Sequence, residues 1–173
     1  MNIESRKRLT MVAATLALFG YSAAAMAASG SFEKSIAVEG DAIVDVSNQS
    51  GTVVVRGGDV DEVTIRARIT VDKRYTRTDP QKAGKLIGEI KRSPPIESDG
   101  NRVIVGELKK HTHRRYASIS YEILVPREAT VTVRSVSGDV RVSGISGEVD
   151  ATSDTGKVTV ASADTGDSTR SSS

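Results

Sequence analysis

Apolar and polar side chains alternate through most of this chain, and the alternation breaks at short corners marked by glycine. From Val63 to Val71 every odd-numbered residue is apolar and every even-numbered one polar, which predicts a strand with one buried and one wet face. Ala117, Ile119, Tyr121, Ile123 and Val125 repeat that pattern until Pro126 ends it. Shorter strands are predicted from Phe32 onward, between the turn sequences Glu39-Gly40-Asp41, Ser50-Gly51 and Gly57-Gly58-Asp59. Asp99-Gly100 predicts a hairpin turn, followed by a strand from Arg102 to Leu108. The period changes once. Behind an Asp79 N-cap and Pro80 at the first helical position, Ala83, Leu86, Ile87 and Ile90 fall on one helical face, predicting a short helix over about 80–90. Gly84 and Gly88 weaken it, each by about 1 kcal/mol relative to alanine.

The C-terminal third repeats itself. Val131 to Val142 and Val149 to Val160 are two versions of one pattern, eighteen residues apart, and a third version lies at Val44 to Val55. Inside each unit a half-repeat of nine is visible in Ser137-Gly138-Asp139-Val140, Ser146-Gly147-Glu148-Val149 and Thr155-Gly156-Lys157-Val158. Glycine reaches positive φ without penalty and the preceding hydroxyl can bond the turn, so each Ser/Thr-Gly pair reads as a tight corner. Two architectures fit: an antiparallel β-meander, or a β-solenoid in which each strand lies parallel to its own copy one coil on. The solenoid places Val131, Val140 and Val142 beneath Val149, Val158 and Val160 in a dry core, with outward Asp139 beside Lys157, an opposite-charge pair. The expected fold is all-β: a β-rich N-terminal part with one short helix, grading into a small C-terminal β-solenoid. The G-G-x-G-x-D turn of calcium-binding nonapeptide rolls is missing, so the coils call for no metal.

The chain's ends and totals add an address. Arg6, Lys7 and Arg8 precede an apolar run from Leu9 to Phe19, and Ala25-Met26-Ala27 has the form of a signal-peptidase site, so residues 1–27 read as a removed export signal. No second apolar stretch is long enough to span a membrane once the signal is gone. The remaining divisions are a β-rich region over 28–128, β-strand repeats over 129–167, and a polar tail over 168–173 that is expected to be disordered. Cysteine is absent, so stability must come from strand ladders and packing. Charge is uneven: Lys73 to Arg115 holds twelve Lys/Arg against five Asp/Glu.

The sharpest local feature is Lys109-Lys110-His111-Thr112-His113-Arg114-Arg115. Such a run is commonly a solvated loop, here between a strand ending at Leu108 and one starting near Tyr116. It could instead grip a polyanion such as lipopolysaccharide phosphate or an acidic polysaccharide, through Lys109, Lys110, His111, His113, Arg114 and Arg115. Nucleic acid is the weakest of these partners, because Phe32, Tyr75, Tyr116 and Tyr121 are the only aromatics past the signal. His111 and His113 would share one face of an extended segment, but no third ligand is spaced to complete a metal site and the flanking bases repel a cation. Ser31-Phe32-Glu33-Lys34 matches S-x-x-K without its companion motifs. No catalytic residue, cofactor or metal is therefore expected.

The order of these features resembles the bacterial putative-adhesin family of β-strand repeat-containing proteins of unknown function. The resemblance rests on the opening strand at Phe32-Glu33-Lys34, the Val44 to Val55 unit, the alternating strand, the short helix, the strand ending at Val125-Pro126, and the Ser-Gly-Asp-Val corners. It implies an exported, non-enzymatic β-protein, periplasmic or at the bacterial cell surface, with an adhesin-like interaction or scaffolding role. Such a protein would meet an envelope polysaccharide or protein, or itself through an open C-terminal strand edge. This chain has fewer repeats than the family pattern.

Overall fold

The computed structural model describes residues 27–162. The expected export signal, apart from its last residue, and the polar tail lie outside the described residues. Eleven strands and three helices follow one another in the order β1 (Ser29–Ala37), β2 (Ile43–Asn48), β3 (Val53–Gly58), β4 (Glu62–Val71), α1 (Lys73–Thr78), α2 (Pro80–Arg92), β5 (Ile96–Asp99), β6 (Arg102–Val105), α3 (His111–Tyr116), β7 (Ala117–Pro126), β8 (Thr130–Ser137), β9 (Val140–Ile145), β10 (Val149–Thr155) and β11 (Val158–Ser162). They form two mixed sheets, ordered β1-β4-β7-β3-β9-β11 and β10-β8-β2-β6-β5. Inward side chains of both sheets make one apolar cluster, rich in valine and isoleucine.

Each copy of the repeat contributes one strand to each sheet, and the copies lie on one another in parallel. Val149 pairs with Val131 and Val158 with Val140, while Val160 pairs with Val142. The third copy is not apart from these. Val44 pairs with Val131 and Val53 with Val140, so the upstream unit lies directly beneath the first downstream one. On its far side β2 runs parallel to β6 and β3 parallel to β7. The pairings of the repeat strands are thus parallel, unlike those of an antiparallel meander. The strands of 28–128 and those beyond it share both sheets.

The corners set this register. Gly51, Gly138 and Gly156 have φ of 116°, 130° and 148°. They also stand in a column: a Cβ on Gly156 would collide with the carbonyl of Gly138, one on Gly138 with that of Gly51, and one on Gly51 with that of Ile119. Glycine is required here twice over, for conformation and for closeness of approach. The closeness lets the ladder run around the corner, since the N–H of Gly51 donates to Ser137 O at 3.0 Å and that of Gly138 to Thr155 O at 2.8 Å. Just inside lies a second column, Asn48, Ser135 and Ser153. Buried Asn48 donates through Nδ2 to the carbonyls of Gly51 (3.0 Å) and Ile119 (3.1 Å), and Ser153 Oγ donates to Gly138 O at 3.0 Å. The Ser135 hydroxyl, between them in this column, is buried with no hydrogen-bond partner among the described residues.

One end of the stack is closed. Asp79 accepts a hydrogen bond from Lys82 N at 2.9 Å and starts α2, whose Ala83, Leu86, Ile87 and Ile90 are buried as the period predicts. The helix packs on β1 and β4, where Gly30 leaves room for the Ile87 side chain. At the other end, among the described residues, β10 and β11 pair on one side only. Inward valines record the difference: Val140 is 0% and Val142 2% exposed, Val158 is half-buried, and Val160 is 42% exposed. The core expected around Val149, Val158 and Val160 is therefore only partly dry. The expected Asp139–Lys157 side-chain pair is also replaced. Asp139 binds the Arg141 guanidinium at 3.0 Å and accepts from the Lys157 backbone N–H at 3.1 Å, because its short side chain reaches the neighbouring corner before it reaches an ammonium.

The two kinds of glycine separate in their response to a methyl group. Gly138→Ala is expected to cost well over about 1 kcal/mol, whereas Gly84→Ala, in open space on α2, should gain up to about 1 kcal/mol. Urea midpoints check this, and shifts of the same sign would contradict the corner account.

Candidate interaction surfaces

The basic run does not form the expected loop. The segment links β6 in one sheet to β7 in the other, and its C-terminal half folds as α3, directly before β7. Its inward face is His113 and Tyr116, three residues apart, and neither marks an apolar stripe in a sequence dominated by bases. Lys109 Nζ lies 3.0 Å from Glu97 and Lys110 Nζ 2.7 Å from Glu89 Oε2. His113 Nε2 meets the same Glu89 oxygen at 3.2 Å with its side chain 10% exposed. Arg114 turns back to donate to the carbonyls of Leu108 (3.2 Å) and Lys109 (3.3 Å). Of the six expected polyanion ligands, only His111 and Arg115 are both exposed and without a hydrogen-bond or ion-pair partner among the described residues. The two histidines are also parted, because residues two apart on a helix point to different sides.

Glu89 is the hub of this arrangement. Its carboxyl is held below the usual glutamate range by the hydrogen bond from Lys110 and then by that from His113. The pair ties α3 to α2, so the basic run serves as a clamp on the closed end of the stack.

Sequence reasoning missed α1. Its six residues carry no apolar stripe, and the one available signal was Asp72, whose Oδ1 accepts from the backbone N–H groups of Arg74 (2.7 Å) and Tyr75 (3.4 Å). Tyr75 stacks on Tyr116 with ring centres 4.2 Å apart, and the Asp72 N–H donates to Tyr116 O at 2.8 Å. These contacts set α1 beside α3. The Arg115 guanidinium carbon lies 5.5 Å from the Tyr116 ring centre. Lys73, Arg74, Arg77 and Arg115 are all exposed and form no ion pair among the described residues.

Two further surfaces lie on the sheets. The outer face of β1, β4, β7 and β3 forms a shallow groove of about 390 Å³, lined by Glu33, Glu62 and Glu122 together with Arg56 and Arg66. Within it Glu33 sits 3.2 Å from Arg66 and holds that guanidinium's pKa up, and Glu62 accepts from the Ser35 and Thr64 hydroxyls. Ser31 and Lys34 of the S-x-x-K match are three apart on β1, so they project from opposite faces of the strand and cannot act together. The sheets also end in strand edges among the described residues, β10 and β11 at one end of the stack and β5 and β1 at the other. Among the described residues no group of three or more His, Cys, Asp or Glu side chains could hold a metal, and no helix is long and apolar enough to cross a membrane.

No protein-family model matches the chain, and no curated protein matches it in sequence. A solved structure does resemble it: a "putative cell adhesion protein" from Clostridium sporogenes ATCC 15579, with a TM-score of 0.50 and 11% identity over 76% of this chain. The match covers 61% of that protein's chain, so the present chain spans about three-fifths of its length. At this identity the likeness is one of fold.

The lowered Glu89 pKa carries a sign for stability. A carboxyl whose folded-state pKa lies below its unfolded one stabilises the fold above the ordinary value of 4.5, and that contribution is lost as pH falls through the lowered value. Glu89→Gln should therefore lower the urea midpoint at pH 7, and the gap to the unsubstituted chain should close toward pH 3. A gap of equal size at both pH values would show that the Lys110–Glu89–His113 contacts do not act through charge.

Proposed function

We propose that this is an exported, non-enzymatic protein of the bacterial cell envelope, related to the β-strand-repeat adhesin-like proteins and acting by interaction or scaffolding through strand edges. In this reading the stacked repeats are a short β-solenoid, and its working surface is the end at β10 and β11. One observation carries the reading: inward side chains that are sealed in the copy below become half-buried at Val149, Ala151 and Val158 and exposed at Val160, beside a row of strand N–H and C=O groups with one-sided pairing. Such an edge pairs with another strand unless something blocks it. The fold likeness to a cell adhesion candidate and the signal-like N-terminus support the address and the role. The partner best matched to the edge is a second copy, since it brings the same apolar row and the same unpaired backbone.

Sedimentation velocity on residues 28–173 tests this. The expected result is concentration-dependent self-association that resists added salt and is weakened by Val160→Lys. A chain that stays monomeric over the whole concentration range, or a Val160→Lys variant that associates equally well, would overturn it.

A further inference from the structure

We propose that association through β10 and β11 stops at a two-fold dimer, open end against open end, because an inward lysine on β1 closes the other end of the stack to a further copy. The inference rests on the strand-edge reading above and adds to it the geometry and the limit of the assembly.

Among the described residues the outer strands are β1 and β11 in one sheet and β5 and β10 in the other. A head-to-tail contact would join β10 and β11 of one copy to β5 and β1 of the next, and would repeat without end. A contact that uses β10 and β11 twice closes at two copies. Which of the two forms depends on what β1 and β5 present.

Strand β1 pairs with β4 alone. Its Phe32, Lys34 and Ile36 lie opposite Ala67, Ile65 and Val63, all three of them buried, so these side chains share the inward face of the sheet. Phe32 and Ile36 pack against the core. Half-buried Lys34 stands between them with no hydrogen-bond or ion-pair partner among the described residues. A strand laid along β1 would cover that side chain, and an unpaired ammonium is costly to bury. The β11 strand of another copy would bring Val158, Val160 and Ser162 on its inward row, none of which can neutralise the charge. An inward charge of this kind keeps an edge strand from pairing. Strand β5 is blunted differently: it has four residues, with Pro94 and Pro95 before it and the Asp99-Gly100 turn behind.

Neither device is present on β10 and β11. They contain no proline, lysine or arginine, and the exposed Asp150 and Asp154 of β10 leave its inward row to Val149, Ala151 and Ser153. One end of the stack accepts a strand and the other refuses it, which permits the closed dimer and forbids the chain.

Sedimentation equilibrium on residues 28–173 reads the limit. The mass should rise with concentration and level off at two copies. Lys34→Val should remove the limit, so that the mass passes two copies and keeps rising, whereas Lys34→Arg should still level off at two. Should Lys34→Val fail to fold, Lys34→Thr decides the matter with the same expectation. Adding Val160→Lys to Lys34→Val should abolish the growth, since a head-to-tail contact also needs β11, and growth that survives it would overturn the inference. Growth past two copies in the unsubstituted chain, or a folded Lys34→Val or Lys34→Thr variant that still stops at two, would overturn the inference and leave strand-edge association standing. A chain that is monomeric at every concentration would overturn both.

Discussion

A backbone carbonyl resting on a glycine, repeated from Ile119 through Gly51 and Gly138 to Gly156, is the contact on which the rest of the molecule depends. It brings successive corners close enough for the hydrogen-bond ladder to continue around the bend, and so it ties the register of one sheet to that of the other. With both registers tied, valines fall on valines in each sheet, and the alternation of the strands is converted into a single core. Asn48 strengthens the lowest of these glycine corners by spending both amide protons on carbonyls of adjacent levels.

That stacking makes the two ends unequal. At one end α2 covers the core, and the basic segment before β7 clamps the helix through Glu89. At the other, the ladder and the valine rows reach β10 and β11 with one-sided pairing among the described residues. Positive charge gathers at the covered end and apolar surface at the open one. The two surfaces are different in chemistry as well as in place, and salt acts on them oppositely: it screens the first and leaves the second intact.

Local constraints were legible in the sequence, and distant pairings were not. The Ser/Thr-Gly corner, the valine alternation, the Asp79-Pro80 cap and the eighteen-residue register each depend on residues close together or on copies of one another, and β4, β7, α2 and the β8–β11 pairings appear where the patterns put them. The position of the Val44 to Val55 copy, with β2 between β6 and β8 and β3 between β7 and β9, depends on contacts far apart in the chain, and nothing local encodes it. Helix α1 has no apolar stripe, and α3 presents its inward face through a histidine and a tyrosine. At the basic run the cations were plain to read, but Glu89 and Glu97, which engage Lys110, His113 and Lys109, lie well upstream, so the sequence pointed to a patch where much of the charge is already paired.

The central claim is that the upstream copy stacks in parallel, residue on residue, against the downstream repeat. The chain contains no cysteine, so paired substitutions report directly on register. Asp45 lies opposite Thr132, and Thr132 opposite Asp150. Oxidised Asp45→Cys/Thr132→Cys should form an intramolecular disulfide that raises the urea midpoint, because the two positions are adjacent across neighbouring strands. Asp45→Cys/Asp150→Cys should not link within the chain, because an intervening strand holds them about 9–10 Å apart. An intramolecular bridge in the second pair, or its absence in the first, would contradict the stacked arrangement.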